Sequence, residues 1–527
     1  MKKIVSLFMF VSLIGSGNVF AQAEFDAYKY SQLDIQGTAR YSGMAGAFGA
    51  LGGDISSMTT NPAGLGIYRS SEVVTTLSLS SIQTKNDWSG AKTDLGKTKF
   101  NFDNIAYVGY FPTGNYSGIK SWNVGFAYNR VKNFNRHYKM SGKQDWSVAD
   151  YIADLTNIYA GGDGKYTGDN LWATQDYNPY TSYNPLSVVG YSGGFIGADD
   201  PKVVGGFYNA FSDETGLWPL NSSNLEVVEK GAIDQYDFSF ATNISDVVFL
   251  GATFVLTDID YGYRSYYDED FGHGDYLLLD NAMSTEGNGY SFNIGAIVRP
   301  VDYLRLGIAY NSPTWYKLTD YFLADAESVI ADEKITEKTP SGAFDYKLKT
   351  NDRWIFSAAG FIGQYGLISV DYELNNYKNM RLSDADGRDF NDNKFIKQDF
   401  KSVGTLRIGA EAKITPQFSI RAGGAWMSSP VSNEIKDGKV EVITAGTIPH
   451  YTVDKGTDYY TIGLGYRFTP RFYADLACVY KQYKEDVYAF SKTFINENNV
   501  DVVFVDSTPS SMKTNTTRVS LTLGYKF

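Results

Sequence analysis

The last ten residues set the rule that the rest of the chain must obey. Val519, Leu521, Leu523, Tyr525 and Phe527 alternate with Arg518, Ser520, Thr522, Gly524 and Lys526. A period of two puts one set on each face of an extended strand. The same alternation sets Tyr460, Ile462, Leu464, Tyr466 and Phe468 against Thr461, Gly463, Gly465 and Arg467. Leu406, Ile408 and Ala410 oppose Arg407, Gly409 and Glu411, and Ile368, Val370, Tyr372 and Leu374 oppose Ser369, Asp371 and Glu373. Each strand needs an apolar medium on one side and a polar one on the other. Lipid outside and a polar lumen inside satisfy both, and a closed barrel leaves no strand edge unpaired in the bilayer.

About fourteen segments carry strand character, near 71-83, 99-111, 120-132, 233-243, 247-264, 288-298, 303-311, 346-361, 366-377, 402-413, 417-427, 458-468, 471-483 and 515-527. In strands 2, 5 and 8 apolar residues fall on both faces, and alternation does not fix the register. The connections alternate in length. Tight, turn-forming links occur at 244-246, 299-302, 363-365, 415-416 and 469-470, with a longer one at 112-119. Long polar loops cover roughly 84-98, 133-232, 265-287, 312-345, 378-401, 428-457 and 484-514. This pattern predicts an all-β transmembrane antiparallel barrel with extracellular loops and both termini in the periplasm.

Residues 1-23 read as a secretory leader, with Lys2 and Lys3, an apolar run from Ile4 to Ile14, and Ala21-Gln22-Ala23 as the cleavage site. No Cys follows that site, and nothing beyond it has the roughly 18 consecutive apolar residues of a membrane helix. An aromatic fraction of 16% with a mean hydropathy of -0.27 fits alternating lipid-facing and lumen-facing residues. The lone Cys478 excludes an internal disulfide. A net charge of -12 argues against nucleic acid. No linker divides the chain, which is read as a leader, residues 24-70, and a barrel over 71-527.

Gly37 to Ile67 is the apolar segment that is neither leader nor strand. Small residues dominate it, no charge falls between Arg40 and Asp54, and Asn61-Pro62-Ala63 ends it. Charges on inward faces, namely Arg305, Asp371, Glu373, Arg407, Glu411, Arg421, Arg467, Asp475 and Arg518, are expected to pair across the lumen and hold a plug. In the largest loop, 145-160 reads as a helix with Trp146, Ala149, Ile152, Leu155 and Tyr159 on one face. That face either folds the loops together or forms an apolar ligand groove at the outer mouth. A second helix is expected at 323-331.

Other motifs carry no chemistry. Gly190-Tyr191-Ser192-Gly193-Gly194 matches a serine-hydrolase elbow but lies in a Gly- and Tyr-rich loop. His137, His273 and His450 fall in loops without metal spacing and read as surface histidines. Asp268, Glu269, Asp270 and Asp275 read as a solvated acidic tip. No enzyme, cofactor or metal is expected.

A secreted chain with GMAGAFGALGGDISSMTTNPAGL before its first strand, about fourteen strands and a terminal Phe resembles the FadL/TodX family of outer-membrane transporters for hydrophobic compounds. The resemblance implies that residues 24-70 form a hatch inside the barrel, with Asn61, Pro62 and Ala63 as its motif. It implies capture of a hydrophobic ligand of fatty-acid or aromatic type, and release through a side opening at a kinked third strand. Asn123, Gly125 and Asn129 are the candidates for that gate, within 120-133. Phe527 would be read by the barrel-assembly machinery, and the outer-membrane lipid would be the other partner. The alternative is a non-transporting relative that serves as a binding platform or shuttle for secreted proteins.

Overall fold

The computed structural model describes residues 24-174, 176-213, 216-497 and 500-527, so the leader lies outside the described residues. Fourteen antiparallel strands close into one barrel. They are β1 (Glu72–Trp88), β2 (Ala91–Pro112), β3 (Ile119–Asn133, resumed at Arg136–Gly142), β4 (Ser222–Ile244), β5 (Val248–Gly272) and β6 (Asp275–Val301). Next come β7 (Leu304–Asn311, resumed at Trp315–Ile330), β8 (Gly342–Lys349 and Arg353–Ile362), β9 (Gly366–Asn376), β10 (Ser402–Lys413) and β11 (Phe418–Met427). The circuit ends with β12 (Tyr451–Arg467), β13 (Phe472–Tyr488) and β14 (Ser510–Lys526). β14 pairs with β1, from Glu72 opposite Lys526 to Asp87 opposite Ser511, and no edge is left at the seam.

All fourteen expected strands are present, but most extend further. β5 and β6 have 25 and 27 residues, well beyond the roughly 9 to 11 that cross a bilayer. They meet at a turn where His273 and Gly274 have φ 55° and 95°. The expected loops at 84-98 and 265-287 are therefore hairpin ends, and part of 133-232 is strand. Above the membrane the outward face needs no apolar residues, and the alternation that marks a strand fades from the sequence. The helix expected at 323-331 is strand. Residues 315-330 have ladder partners on both sides, in β6 and in Glu333–Lys338 with Gly342–Lys349, and those bonds override a weak helical preference.

The pleat sorts the side chains as the alternation requires. Leu406, Ile408, Ile420, Ile462, Leu464, Leu521 and Leu523 all face outward and uncovered. Asp371, Glu373, Arg407, Glu411, Arg421, Asp475 and Arg518 face inward and are buried. Arg467 does not belong with them, because it stands exposed at the end of β12, past the last covered turn of the lumen.

The lumen is filled by the N-terminal segment. It consists of α1 (Glu24–Ser31), α2 (Ala39–Gly43), α3 (Ser57–Thr60) and a 3-10 turn at Pro62–Ile67. Inward-facing glycines of the wall make room for it. A Cβ on Gly295 would lie 1.9 Å from Asn61 Oδ1, one on Gly307 2.3 Å from Gly49 O, and one on Gly251 2.3 Å from the Pro62 carbonyl carbon. Gly409 and Gly423 stand against Met44, and Gly463 against Gly43. Charges complete the seat: Glu411 accepts from Arg40 at 3.0 Å and from Arg421 at 2.6 Å, Asp371 accepts from Gly49 N at 2.8 Å, and Arg305 donates to Leu51 O at 2.6 Å.

The far end is closed by packed loops. α4 (Val148–Asp163) begins with a capping box at Ser147 and Asp150 and ends at Gly164 in the left-handed conformation. It packs on α5 (Pro185–Ser192), and a Cβ on Gly190 would stand 2.6 Å from Ile152 Cγ2. Glu269 is fully buried, accepts from Val148 N at 2.9 Å and also binds Ser147. It fixes the start of α4 and is no solvated acidic tip.

Candidate functional site

Between the segment and the cap lies a cavity of about 250 Å³. Its apolar wall includes Phe25, Leu33, Ile82, Phe134, Met283 and Ile448. Its polar wall is a web of ion pairs. Arg136 is bound to Glu229 at 2.6 Å and to Glu485, Lys481 to Asp34, and Lys29 to Glu229 at 3.7 Å, with a hydrogen bond from Lys29 to Tyr261 at 3.0 Å. Tyr28 donates to Asp454 at 2.5 Å. Burial alone would raise the Asp34 carboxyl, but the ammonium groups of Lys481 and Lys132 outweigh it and hold Asp34 below its ordinary range. His450 is buried rather than at the surface. Burial and then Lys29 push it down to about 3, so it is neutral, and its Nε2 lies 2.7 Å from Tyr263 OH.

Two cations in this wall, Lys132 and Arg518, differ from the rest: Arg518 donates to Ile35 O and to Ser42 Oγ and, among the described residues, has no carboxylate within 4.0 Å. Lys132 Nζ donates to Lys29 O at 2.6 Å and to Gln32 Oε1 at 2.9 Å, and among the described residues no carboxylate lies within 4.0 Å of it. The Lys132 side chain is buried, and its Nζ is held by neutral acceptors at the rim of the cavity.

The cavity reaches the barrel wall where the ladder fails. β2 and β3 pair from Pro112 opposite Ser121 up to Asn104 opposite Asn129, and no further. Two bulges fall at that level. In β2 the register against β1 slips past Asp103, and in β3 the register against β4 slips past Val131. A bulge bends its strand, and two facing bulges part the hairpins. The N-terminal segment holds the β3 bulge inward, with Asp34 N donating to Val131 O at 3.0 Å. Side chains span the gap where main-chain bonds stop: Asn133 Nδ2 to Asn101 Oδ1 and Lys99 Nζ to Asn135 Oδ1, each 2.9 Å.

The break lies beyond two of the three gate candidates. Gly125 and Asn123 sit in unbroken ladder on both sides. A Cβ on Gly125 would lie 2.2 Å from Met58 Cε, and the glycine makes room for the plug. Asn123 Nδ2 donates to Leu65 O at 2.6 Å. Only Asn129 lies at the break, as the last paired residue. Of the two readings of the α4 face, its contacts match the packing one. Ala149, Ile152 and Leu155 are buried against the rest of the cap, while Trp146 and Tyr159 are half-buried, Trp146 tilted against Phe504 and Tyr159 stacked on Tyr166. The face of α4 is consumed in folding the loops onto each other. Ser192, in α5, binds Leu171 O at 3.1 Å and sits on no strand-to-helix elbow.

Asn61 is fully buried. Its Nδ2 donates to Gly49 O at 2.6 Å and reaches Ala296 O and Ile308 O at 3.3 and 3.4 Å, while Oδ1 accepts from Ala63 N at 3.1 Å. One side chain thus ties the segment to itself and to β6 and β7. The bulge at Val131 and Asn133 fall within the 120-133 expected to kink, whereas Lys99, Asn101 and Asn135 were missed because no periodicity marks side chains that replace a ladder.

A closed barrel with an uncovered apolar belt, a polar filled lumen and short turns at one end is a transmembrane β-barrel of the outer-membrane type. No helix among the described residues is long and apolar enough to cross a membrane. Residues 277–527 match the family described as outer membrane protein transport protein (OMPP1/FadL/TodX), and the resemblance read from the N-terminal segment extends to this half of the chain. Among solved structures the chain is similar to a Pseudomonas aeruginosa FadL homologue (12% identity, 94% of this chain and 99% of that one, TM-score 0.48). It is similar in the same measure to the P. putida toluene transporter TodX (12%, 94% and 99%, 0.48), and to the Ralstonia pickettii toluene transporter TbuX (12%, 94% and 99%, 0.46). No curated protein matches the chain.

Proposed function

We propose that the protein takes up a hydrophobic small molecule, of fatty-acid or aromatic type, by passive binding in the lumen cavity and sideways release into the membrane between β2 and β3. The observation that carries this reading is that the cavity wall includes Lys132, Asn133, Phe134 and Asn135, the residues behind the break in the ladder. Apolar ligands gain about 25 cal/mol for each Å² of apolar surface they bury, and release into lipid keeps that gain where release into water would forfeit it. Lys132 and Arg518, whose hydrogen bonds go to neutral acceptors, favour a ligand with an anionic head. Residues 24-70 act as the hatch, the short turns face the periplasm, and Phe527 is the residue offered to the assembly machinery.

A cross-link tests the route. Cysteines at Asn101 and Asn133, joined by a short bis-maleimide in purified protein, are expected to abolish transfer of a fluorescent fatty acid into reconstituted vesicles while leaving its binding intact. Transfer at the uncross-linked rate removes the lateral route. Absence of any apolar-ligand binding, together with co-purification of a secreted protein, favours the platform alternative.

A further inference from the structure

The residues that line the cavity belong to barrel strands, to the short Phe134-Asn135 link inside β3 or to the N-terminal segment, except in one stretch. Ile443, Thr444, Ala445, Ile448 and His450 come from the connection between β11 and β12. From Lys439 to His450 that connection has neither helix nor strand. Neither α4 nor α5 reaches the lining, so this strap is what the long loops contribute to the wall. It is also uncharged from Val442 to Pro449, although Lys436, Asp437, Lys439 and Glu441 precede it and Asp454 and Lys455 follow. Such a run can meet an apolar molecule without stripping water from a charge.

The ends of the strap are fixed and its middle is lightly held. Val442 is 1% exposed and its N donates to Ser491 Oγ at 2.9 Å, and His450 is buried against Tyr263. Between them, among the described residues, no main-chain group bonds another element. Ile448 N donates to Ala445 O at 3.0 Å within the strap itself, around Gly446 at φ 58°. Side chains tie it down: Thr447 Oγ1 donates to Asn281 Oδ1 of β6 at 2.6 Å, and Thr444 interacts with the Tyr151 hydroxyl of α4. Ile443, next to one fixed end, is 38% exposed, more than any other lining residue. A wall strand is held by a ladder on each side, so the strap is the part of the lining that opens at least cost.

We propose that residues 443-449 are the door by which the ligand enters the cavity from the side of the long loops, hinged at Val442 and His450 and latched by Thr447 on Asn281. The proposal rests on the reading that the cavity holds an apolar ligand, and it supplies the opening on the water side that sideways release into lipid does not. Thr447 does not line the cavity. Its latch therefore sets how fast a ligand exchanges and leaves how tightly it is held unchanged.

The test uses the full chain with Cys478→Ser, held in amphipol so that no lipid adjoins the break, and dansyl-undecanoic acid as the probe in stopped flow. Thr447→Ala is expected to raise the association and dissociation rates together by about 2- to 10-fold, the span set by one neutral hydrogen bond, with Kd unchanged. Joining Thr447→Cys to Asn281→Cys with a short bis-methanethiosulfonate is expected to slow both rates at least about tenfold, and reductant should restore them. Rates that stay as they were in both variants, with binding intact, overturn the door and leave the cavity standing as the ligand site. A Kd that shifts through dissociation alone makes Thr447 a support of the wall and also overturns the door. Absence of binding by the parent chain removes the cavity as a ligand site, and the door with it.

Discussion

Asn61 and Gly295 act as one unit. The amide fills the space that a side chain on β6 would need, and in return reaches the carbonyls that tie the segment to the wall. Asn61→Ala should cost about 1 to 3 kcal/mol in urea unfolding, the range for a buried hydrogen-bonding group whose partners are left unpaired. Gly295→Ala should cost about 1 to 3 kcal/mol by overpacking, since the new methyl would stand 1.9 Å from Asn61 Oδ1. The two losses should not add. In the double variant the shortened residue 61 leaves room for the methyl, and a double-mutant cycle is expected to show a coupling of at least about 1 kcal/mol. Additive losses would mean that the two residues act on different parts of the molecule. Sequence reasoning found Asn61 by its place before Pro62. It placed Gly409 and Gly463 on the inward face without giving them a role and passed over Gly251, Gly295, Gly307 and Gly423, although each falls on the parity opposite the lipid-facing set, a signal open to anyone asking which inward positions carry no side chain at all.

At the level of elements, legibility follows the solvent. Inside the bilayer one face of every strand must be apolar, and all fourteen strands were recognisable from that demand. Above it the same strands continue with both faces polar or covered, so the reading stopped near 83 in β1 and 264 in β5 although the strands run to Trp88 and Gly272. The helix at 148-163 was legible because its buried stripe has helical spacing. The segment 315-330 was not, because Leu323, Ala324, Ala326 and Glu327 carry helical preference while their pairing is fixed by distant strands. The cap stands or falls with α4. Ile152→Asp would bury a charge against Gly190 and should open the cap to trypsin at a dose the native chain resists, while the barrel keeps its heat-modifiable migration. If barrel and cap are lost together, they form one cooperative unit instead.

For the whole molecule, the lipid face and the lumen face make opposite demands on the same substitution. Ile462→Arg, on the uncovered outer face of β12, should cost about 2 to 4 kcal/mol of folding stability in vesicles if that position lies near the bilayer midplane, and much less toward either interface. The filled lumen has an electrical consequence. A segment seated on bare glycine backbone, with Arg40 matched to Glu411, is expected to interrupt any column of water from one side to the other. Reconstituted in a planar bilayer, the protein should therefore be nearly silent under an applied voltage, unlike an open porin of equal strand number. Ohmic current should appear once Gly295→Ala has unseated the segment. Under the proposed function such a barrel would pass an oily molecule sideways while holding back ions, and the membrane would keep its electrical resistance while its wall is in use.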